Sequence, residues 1–330
     1  MTSVTTHSDS SFIKTEAVSH NGMVDTKDRL ATEAGLEILR MGGNAVDAGV
    51  ASCLAVGVVE PESSGIGGGG YMVFQMGDEG GVIGFPMKGP LAGSPDMYSL
   101  SGEASVGSFG WAGVVNDENI HGCRSIADPG CIAGLMEAHK RFGNLPWSEV
   151  VAPAANIARK GFSPEWFTLY KFGSLSQMLL RYTELRDTFM PDNQLPYGGI
   201  EAPFILKQPN LADSLDSIAR DGADSFYRGE LTEDITKDIQ LNGGILTGQD
   251  FDQYKPFYWK NGLEFQYRGK IIRVPNYASA GITSAMTLKL LNKFDLPSMG
   301  HNSVEALHLY INAARMAYAC LLYTSDAADE

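Results

Sequence analysis

Residues 30–71 read LATEAGLEILRMGGNAVDAGVASCLAVGVVEPESSGIGGGGY, and the rest of the chain is organised around them. Leu36, Leu39, Val46, Val50 and Leu54 recur at helical spacing with Ala and Gly between them, which predicts two closely packed helices. Gly42-Gly43 supplies the stop of the first, and Asn44 is placed to cap the second. The glycine run Gly65–Gly70 formally satisfies G-x-G-x-x-G. A dinucleotide fingerprint needs a strand before the glycines and a helix after them, so that a phosphate meets a helix N-terminus. The order here is helix, loop, strand, because Tyr71-Met72-Val73-Phe74 follows. Tyr71 also stands where a P-loop carries Lys-Ser/Thr. The glycines are therefore expected to serve positive φ and close passage of backbone past backbone.

The segments ATEAGLEILRMGGNAVDA and VVEPESSGIGGGGYM resemble the opening of the γ-glutamyltransferase family, a branch of the N-terminal-nucleophile hydrolases. Two later blocks extend the resemblance: SIADPGCIAGLMEAHKRFGNLPWSEVVAPAANIARKGF from Ser125, and ADSFYRGELTEDITKDIQLNGGILTGQDFDQYKP from Ala223. Residues 22–319 are covered, corresponding to most of the family's large subunit. The resemblance implies an α/β (α+β) fold of four αββα layers, of which this chain supplies the helix-rich part. It also implies a precursor that cleaves itself and exposes an N-terminal threonine, which acts as nucleophile with its own amine as base. That threonine is expected beyond this chain, so no catalytic residue is assigned. No cofactor is implied. The partners implied are a small γ-glutamyl or other acyl-amide substrate and the chain's own small subunit.

One family feature departs. An Arg-Glu-x-Ala-Pro type of motif, whose arginine grips the α-carboxylate of the γ-glutamyl donor, aligns with Pro86-Met87-Lys88-Gly89-Pro90, ahead of Asp96-Met97-Tyr98. The arginine position falls on Pro86, which has no donor to offer. Lys88, two residues on and on the same face of a strand, is the candidate substrate contact; a solvated lysine at a strand end is the alternative. The missing guanidinium leaves three functions open: a γ-glutamyl transferase or hydrolase, an acylase or amidohydrolase with another acyl donor, and a non-enzymatic binding paralogue. Asp128, at the start of a helix, is read as a cap or dipole partner.

The composition of the 330 residues, 44% hydrophobic and 19% charged, has ample material for a core. A formal charge of −14 with no basic run argues against a nucleic-acid backbone or an anionic membrane surface. Cys53, Cys123, Cys131 and Cys320 have no C-x-x-C spacing, and His7, His20, His121, His139, His301 and His308 have no metal-ligand spacing. The polar start lacks a signal-peptide pattern, so cytoplasm is expected, with periplasm or exterior if the 5′ end is incomplete. Residues 1–21 read as a flexible tail. Cys320–Glu330, CLLYTSDAADE, resembles the translation of a sequencing adapter and is expected to be read-through.

In between, Tyr71–Met76 and Val82–Phe85 are expected to form a hairpin turning at Asp78–Gly81. Gly102–His121 is expected to be a loop. Pro129 suits the first turn of a helix running to Phe142, and another helix follows from Leu145 to Lys160. Trp166, Phe167, Tyr170 and Phe172 are expected to pack against the body of the protein. Arg268-Gly269 is expected to turn a second hairpin.

Overall fold

A computed structural model describes residues 16–104, 112–196, 203–275 and 279–326, with the side chains of Ala104 and of 321–326 outside the description. Most of the 1–21 tail, Phe109 and Trp111 of the expected loop, the Tyr197-Gly198-Gly199 break, Tyr277-Ala278 and the last four residues therefore lie outside the described residues.

The two opening helices are α1 (Arg29–Arg40) and α2 (Ala45–Val59). Asp28 caps α1 by accepting from the Leu30 and Ala31 N–H groups at 2.6 and 3.3 Å. Asn44 caps α2, with Asp47 returning the bond to the Asn44 N–H. Between them Gly42 takes φ +95, and Gly43 donates back to the Ile38 carbonyl, which closes α1 as expected. The helices touch through small residues: a Cβ on Gly35 would lie 2.3 Å from Ser52 Oγ. α2 is buried on nearly every side, by residues from Val46 to Val59, so it reads as an apolar run rather than a stripe.

β1 (Gly70–Met76) and β2 (Glu79–Phe85) pair antiparallel from Gly70↔Phe85 to Met76↔Glu79. The turn is Gly77-Asp78, with Gly77 at φ +57; Glu79–Gly81, expected in the turn, are the first residues of β2. Tight two-residue turns match strand twist when φ is positive, and Gly77 provides that. β5 (Phe257–Lys260) adds to the other edge of β2, giving the order β1-β2-β5. β3 (Leu100–Ala104) and β4 (Ala112–Val114) pair antiparallel, so the stretch Gly102–His121, expected to be all loop, holds the end of one strand and the whole of the next.

α3 (Cys131–Phe142) packs on the sheet and on α2, and α4 (Trp147–Lys160) and α8 (Pro209–Asp221) continue the layer from α2. Pro129 lies outside α3, ahead of its cap residue Gly130. The shorter helices α5 (Trp166–Ser174), α6 (Ser176–Leu179) and α7 (Thr183–Phe189) follow α4. Of the α5 aromatics, Phe172 is buried as expected, whereas Trp166 and Tyr170 are exposed. After α8 come α9 (Asp224–Tyr227), α10 (Glu230–Leu241) and α11 (Gly248–Gln253).

β6 (Leu263–Tyr267) and β7 (Lys270–Val274) form the second hairpin, turning at Arg268 and Gly269, both at positive φ. It packs with α12 (Gly281–Leu291), which in turn packs on α14 (Val304–Asp326); α13 (Leu296–Met299) joins those two helices. Phe265, Leu291, Ala313 and Ala317 are buried in this unit, yet they stand apart from the contiguous core formed by α1–α4, the β1-β2 sheet and α8–α11. Leu307, Tyr310, Ile311, Met316 and Tyr318 of α14 are exposed.

Candidate active-site wall

The glycine run joins α2 to β1 and lies against the start of α3. Gly130 and Cys131 both donate their backbone N–H groups to the Gly68 carbonyl, each at 2.9 Å. Those are two of the orphan donors of a helix N-terminus. The loop thus caps α3 and fills the place that a phosphate-binding loop would leave for its ligand. None of Gly65 to Gly70 takes positive φ, so that half of the expectation is corrected. The other half holds at Gly69, where a Cβ would lie 2.5 Å from Met87 N and 2.6 Å from Phe85 O. Glycine is required here for closeness, because any side chain would push the loop off the end of β2.

Beyond Phe85, Pro86 and Lys88 run alongside residues 128–130. Pro86 offers its carbonyl to the Tyr254 hydroxyl at 2.7 Å. Lys88 and Asp128 form an isolated antiparallel bridge and exchange both backbone hydrogen bonds, at 3.1 and 2.8 Å. The Lys88 side chain is exposed; its Nζ donates to the Lys255 carbonyl at 3.1 Å and sits 4.4 Å above the Tyr254 ring.

Asp128 is not a helix cap. Gly130 is the cap residue of α3, which has no side-chain cap bond, and Asp128 is held instead in the bridge with Lys88. It is 4% exposed, and its Oδ1 has no hydrogen-bond partner. Burial pushes its carboxyl up to about 7, nearby Asp250 adds to the rise, and Lys88 draws it part of the way back.

Three further groups complete the wall, and the sequence reading assigned none of them. Tyr227 donates to the Pro129 carbonyl at 2.8 Å and accepts from the Ala133 N–H at 3.2 Å. Burial pushes both Tyr227 and Tyr254 upward, so each stays a neutral hydroxyl. Asp250 closes a capping box with Thr247 and accepts from the Leu91 N–H at 2.5 Å. Burial acts to raise the Asp250 carboxyl, but these bonds outweigh it and hold the group below its ordinary value. The Thr247-x-x-Asp250 spacing was a legible helix-start signal for Asp250. The tyrosines meet Pro86 and Pro129 only through tertiary folding.

On the other side of this segment lies a cleft of about 660 Å³. Ile66, Ile126, Pro129 and Phe251 give it an apolar lining, and Glu184, Asp234 and Asp238 add carboxylates. Among the described residues no group of three His, Cys, Asp or Glu side chains is arranged to hold a metal ion, and no helix is long and apolar enough to cross a membrane.

The gamma-glutamyltranspeptidase family model matches residues 31–328. The chain belongs to that family. Glutathione hydrolase 3 of Arabidopsis thaliana is 32% identical over 311 residues, 93% of this chain and 46% of the relative. The Acylase ACY 1 proenzyme of Pseudomonas sp. (strain V22) is 33% identical over 93% of this chain and 54% of its own length. The chain thus spans about half the length of the curated relatives it matches. Among solved structures, the Helicobacter pylori gamma-glutamyltranspeptidase superposes with a TM-score of 0.83 at 28% identity, covering 92% of this chain and 84% of that one. The fold is therefore that of the N-terminal-nucleophile gamma-glutamyltranspeptidases, here with mixed helix and small antiparallel sheets.

Proposed function

We propose that this chain is the large-subunit part of a self-cleaving acyl-transfer enzyme. The observation that carries the reading is the family match over residues 31–328 together with a span of about half the matched relatives. In this reading a threonine outside the chain, freed as an N-terminus, attacks the acyl carbonyl through its hydroxyl, and its own amine takes the proton. The acyl group then passes to water or to an amine. The wall described above holds the donor's head group, and Lys88 is its substrate contact. A γ-glutamyl donor of the glutathione type is the first substrate class.

A different acyl donor is the second reading, and two features favour it. Pro86 leaves a carboxylate without a bidentate partner, and a lysine ammonium is a weaker substitute for a guanidinium. The neighbouring apolar-lined cleft of about 660 Å³ suits an acyl chain better than a charged one. The Acylase ACY 1 proenzyme is as similar to this chain as the glutathione hydrolases are. The protein is expected to work on small molecules, in the cytoplasm unless a leader precedes it.

The test is turnover by the complete, processed protein of matched p-nitroanilides bearing γ-glutamyl, glutaryl and plain aliphatic acyl groups. Release of nitroaniline from the γ-glutamyl donor with the highest kcat/KM supports the first reading. A preference for the aliphatic donors transfers the assignment to an acylase. Turnover of none, by protein that is folded but uncleaved, overturns both and leaves a binding paralogue.

A further inference from the structure

We propose that Asp128 is the positioning residue for Lys88, deciding whether the lysine ammonium lies against its carboxyl or is presented to an anionic group of the donor. The inference deepens the proposed function, because it rests on the reading that Lys88 faces the donor.

The backbone supplies the geometry. Two residues that exchange both hydrogen bonds across an antiparallel pair stand about 5.5 Å apart at Cα, with their side chains on the same face. Lys88 and Asp128 are such a pair. A lysine side chain is long enough to bring its ammonium onto the carboxyl by rotamer change alone. In this structure the ammonium is elsewhere, on the Lys255 carbonyl and over the Tyr254 ring, while Asp128 Oδ1 is buried without a partner. Native proteins leave few buried polar atoms in that condition. One flexible cation thus has two places to be, and the charge on Asp128 chooses between them.

The titratable groups around Asp128 come from several elements: Lys88 after β2, Asp250 on α11, Tyr254 after it, Tyr227 on α9 and Cys131 at the start of α3. Burial keeps both tyrosines neutral, and contact with Cys53 and burial together push the Cys131 thiol up, so it is neutral too. Asp250 is ionised and engaged with Leu91 and Thr247. The group whose charge changes near neutrality is Asp128. Below about 7 its carboxyl is neutral and Lys88 is released as a free positive charge; above it the anion draws Lys88 in and the pair becomes neutral. The wall should therefore accept a carboxylate-bearing donor on the acid side of neutrality and lose it on the alkaline side.

Two anilides read this directly: γ-glutamyl-p-nitroanilide and its decarboxylated counterpart, 4-aminobutanoyl-p-nitroanilide. With the complete processed protein, KM for the first should rise about tenfold between pH 6 and pH 8.5. The second should show no such rise, and kcat should follow one pH profile for both. Asp128→Asn should remove the rise. Equal pH profiles of KM for the two donors, or a rise that survives Asp128→Asn, would overturn the inference.

A second readout needs no turnover. In the complete processed protein labelled with ¹³C-lysine, the Lys88 Cε resonance, assigned by its loss in Lys88→Met, should titrate with an inflection near 7 that Asp128→Asn abolishes. No such inflection overturns the proposal. An inflection in a protein whose complete form turns over neither anilide leaves the Asp128–Lys88 coupling standing and removes the enzymatic reading instead.

Discussion

Asp128 illustrates how far a single residue can depart from its most ordinary role. An aspartate one residue before Pro-Gly and a helix reads as a cap, yet Gly130 holds the cap position and the Gly68 carbonyl takes two of the helix's free N–H groups. What remains is a buried carboxyl whose folded state favours the proton. Its pKa is raised from 3.8 to about 7, so the folded protein binds a proton more tightly than the unfolded chain. Stability is then unaffected by this group below about 4 and declines as pH rises from there to about 7, by at most about 4 kcal/mol. Asp128→Asn cannot ionise and should be spared that decline. Urea unfolding of the two proteins should show the variant gaining on the wild type by roughly 2 kcal/mol between pH 5.5 and pH 8.5. A stability difference that stays constant across that range would show that Asp128 is solvated and ordinary.

At the scale of elements, the helix pair and its caps were legible because local chemistry decides them. Asn44 caps α2 as its position after Gly43 suggested, and the capping partner Asp47 does more than a cap requires. It is fully buried and accepts from the Asn44 N–H at 3.0 Å and from the Asn144 N–H at 2.9 Å, which ties α2 to the loop between α3 and α4. Asn44→Ala should cost about 1 kcal/mol, the usual worth of a cap. Asp47→Ala empties a fully buried site and takes the acceptor from part-buried N–H groups on two segments, and should cost more, about 2–3 kcal/mol. Chemical denaturation of both variants checks the order; equal costs would mean that the link to Asn144 adds nothing.

Other elements were not legible, each for a physical reason. β5 is Phe257-Tyr258-Trp259-Lys260, too short to show an alternating pattern, and it becomes a strand only because β2 offers an edge. β3 and β4 lie in a Gly- and Ser-rich stretch where turn composition masks pairing. The hairpin turn was expected one or two residues too late, since Gly80-Gly81 looked like turn residues. They are glycine because Trp259 and Phe74 pass close to Gly81, and Arg273 to Gly80. The candidate site divides the same way. Pro86 and Lys88 could be located from the motif around them, whereas Tyr227, Tyr254 and Asp250 reach Pro129, Pro86 and Leu91 across separations that no local pattern reports.

The whole molecule is two packed regions of unequal completeness. The larger one buries a contiguous core between α1–α4, the β1-β2 sheet and α8–α11. The smaller one, β6-β7 with α12 and α14, buries its own few residues and leaves Leu307, Tyr310, Ile311, Met316 and Tyr318 of α14 in water. Isolated apolar residues on a surface need no explanation, but a run of them along one helix is the mark of a face that receives another layer. In the proposed enzyme that layer belongs to the small subunit, whose first residue is the nucleophile. The most direct test is to purify the protein encoded by the complete gene and follow it by intact mass and N-terminal sequencing. The account predicts a precursor that splits without added protease into two chains, the second beginning with threonine, and that stays whole when that threonine is replaced by alanine. A complete protein that remains one chain, or one whose cut leaves no threonine at the new N-terminus, would contradict it.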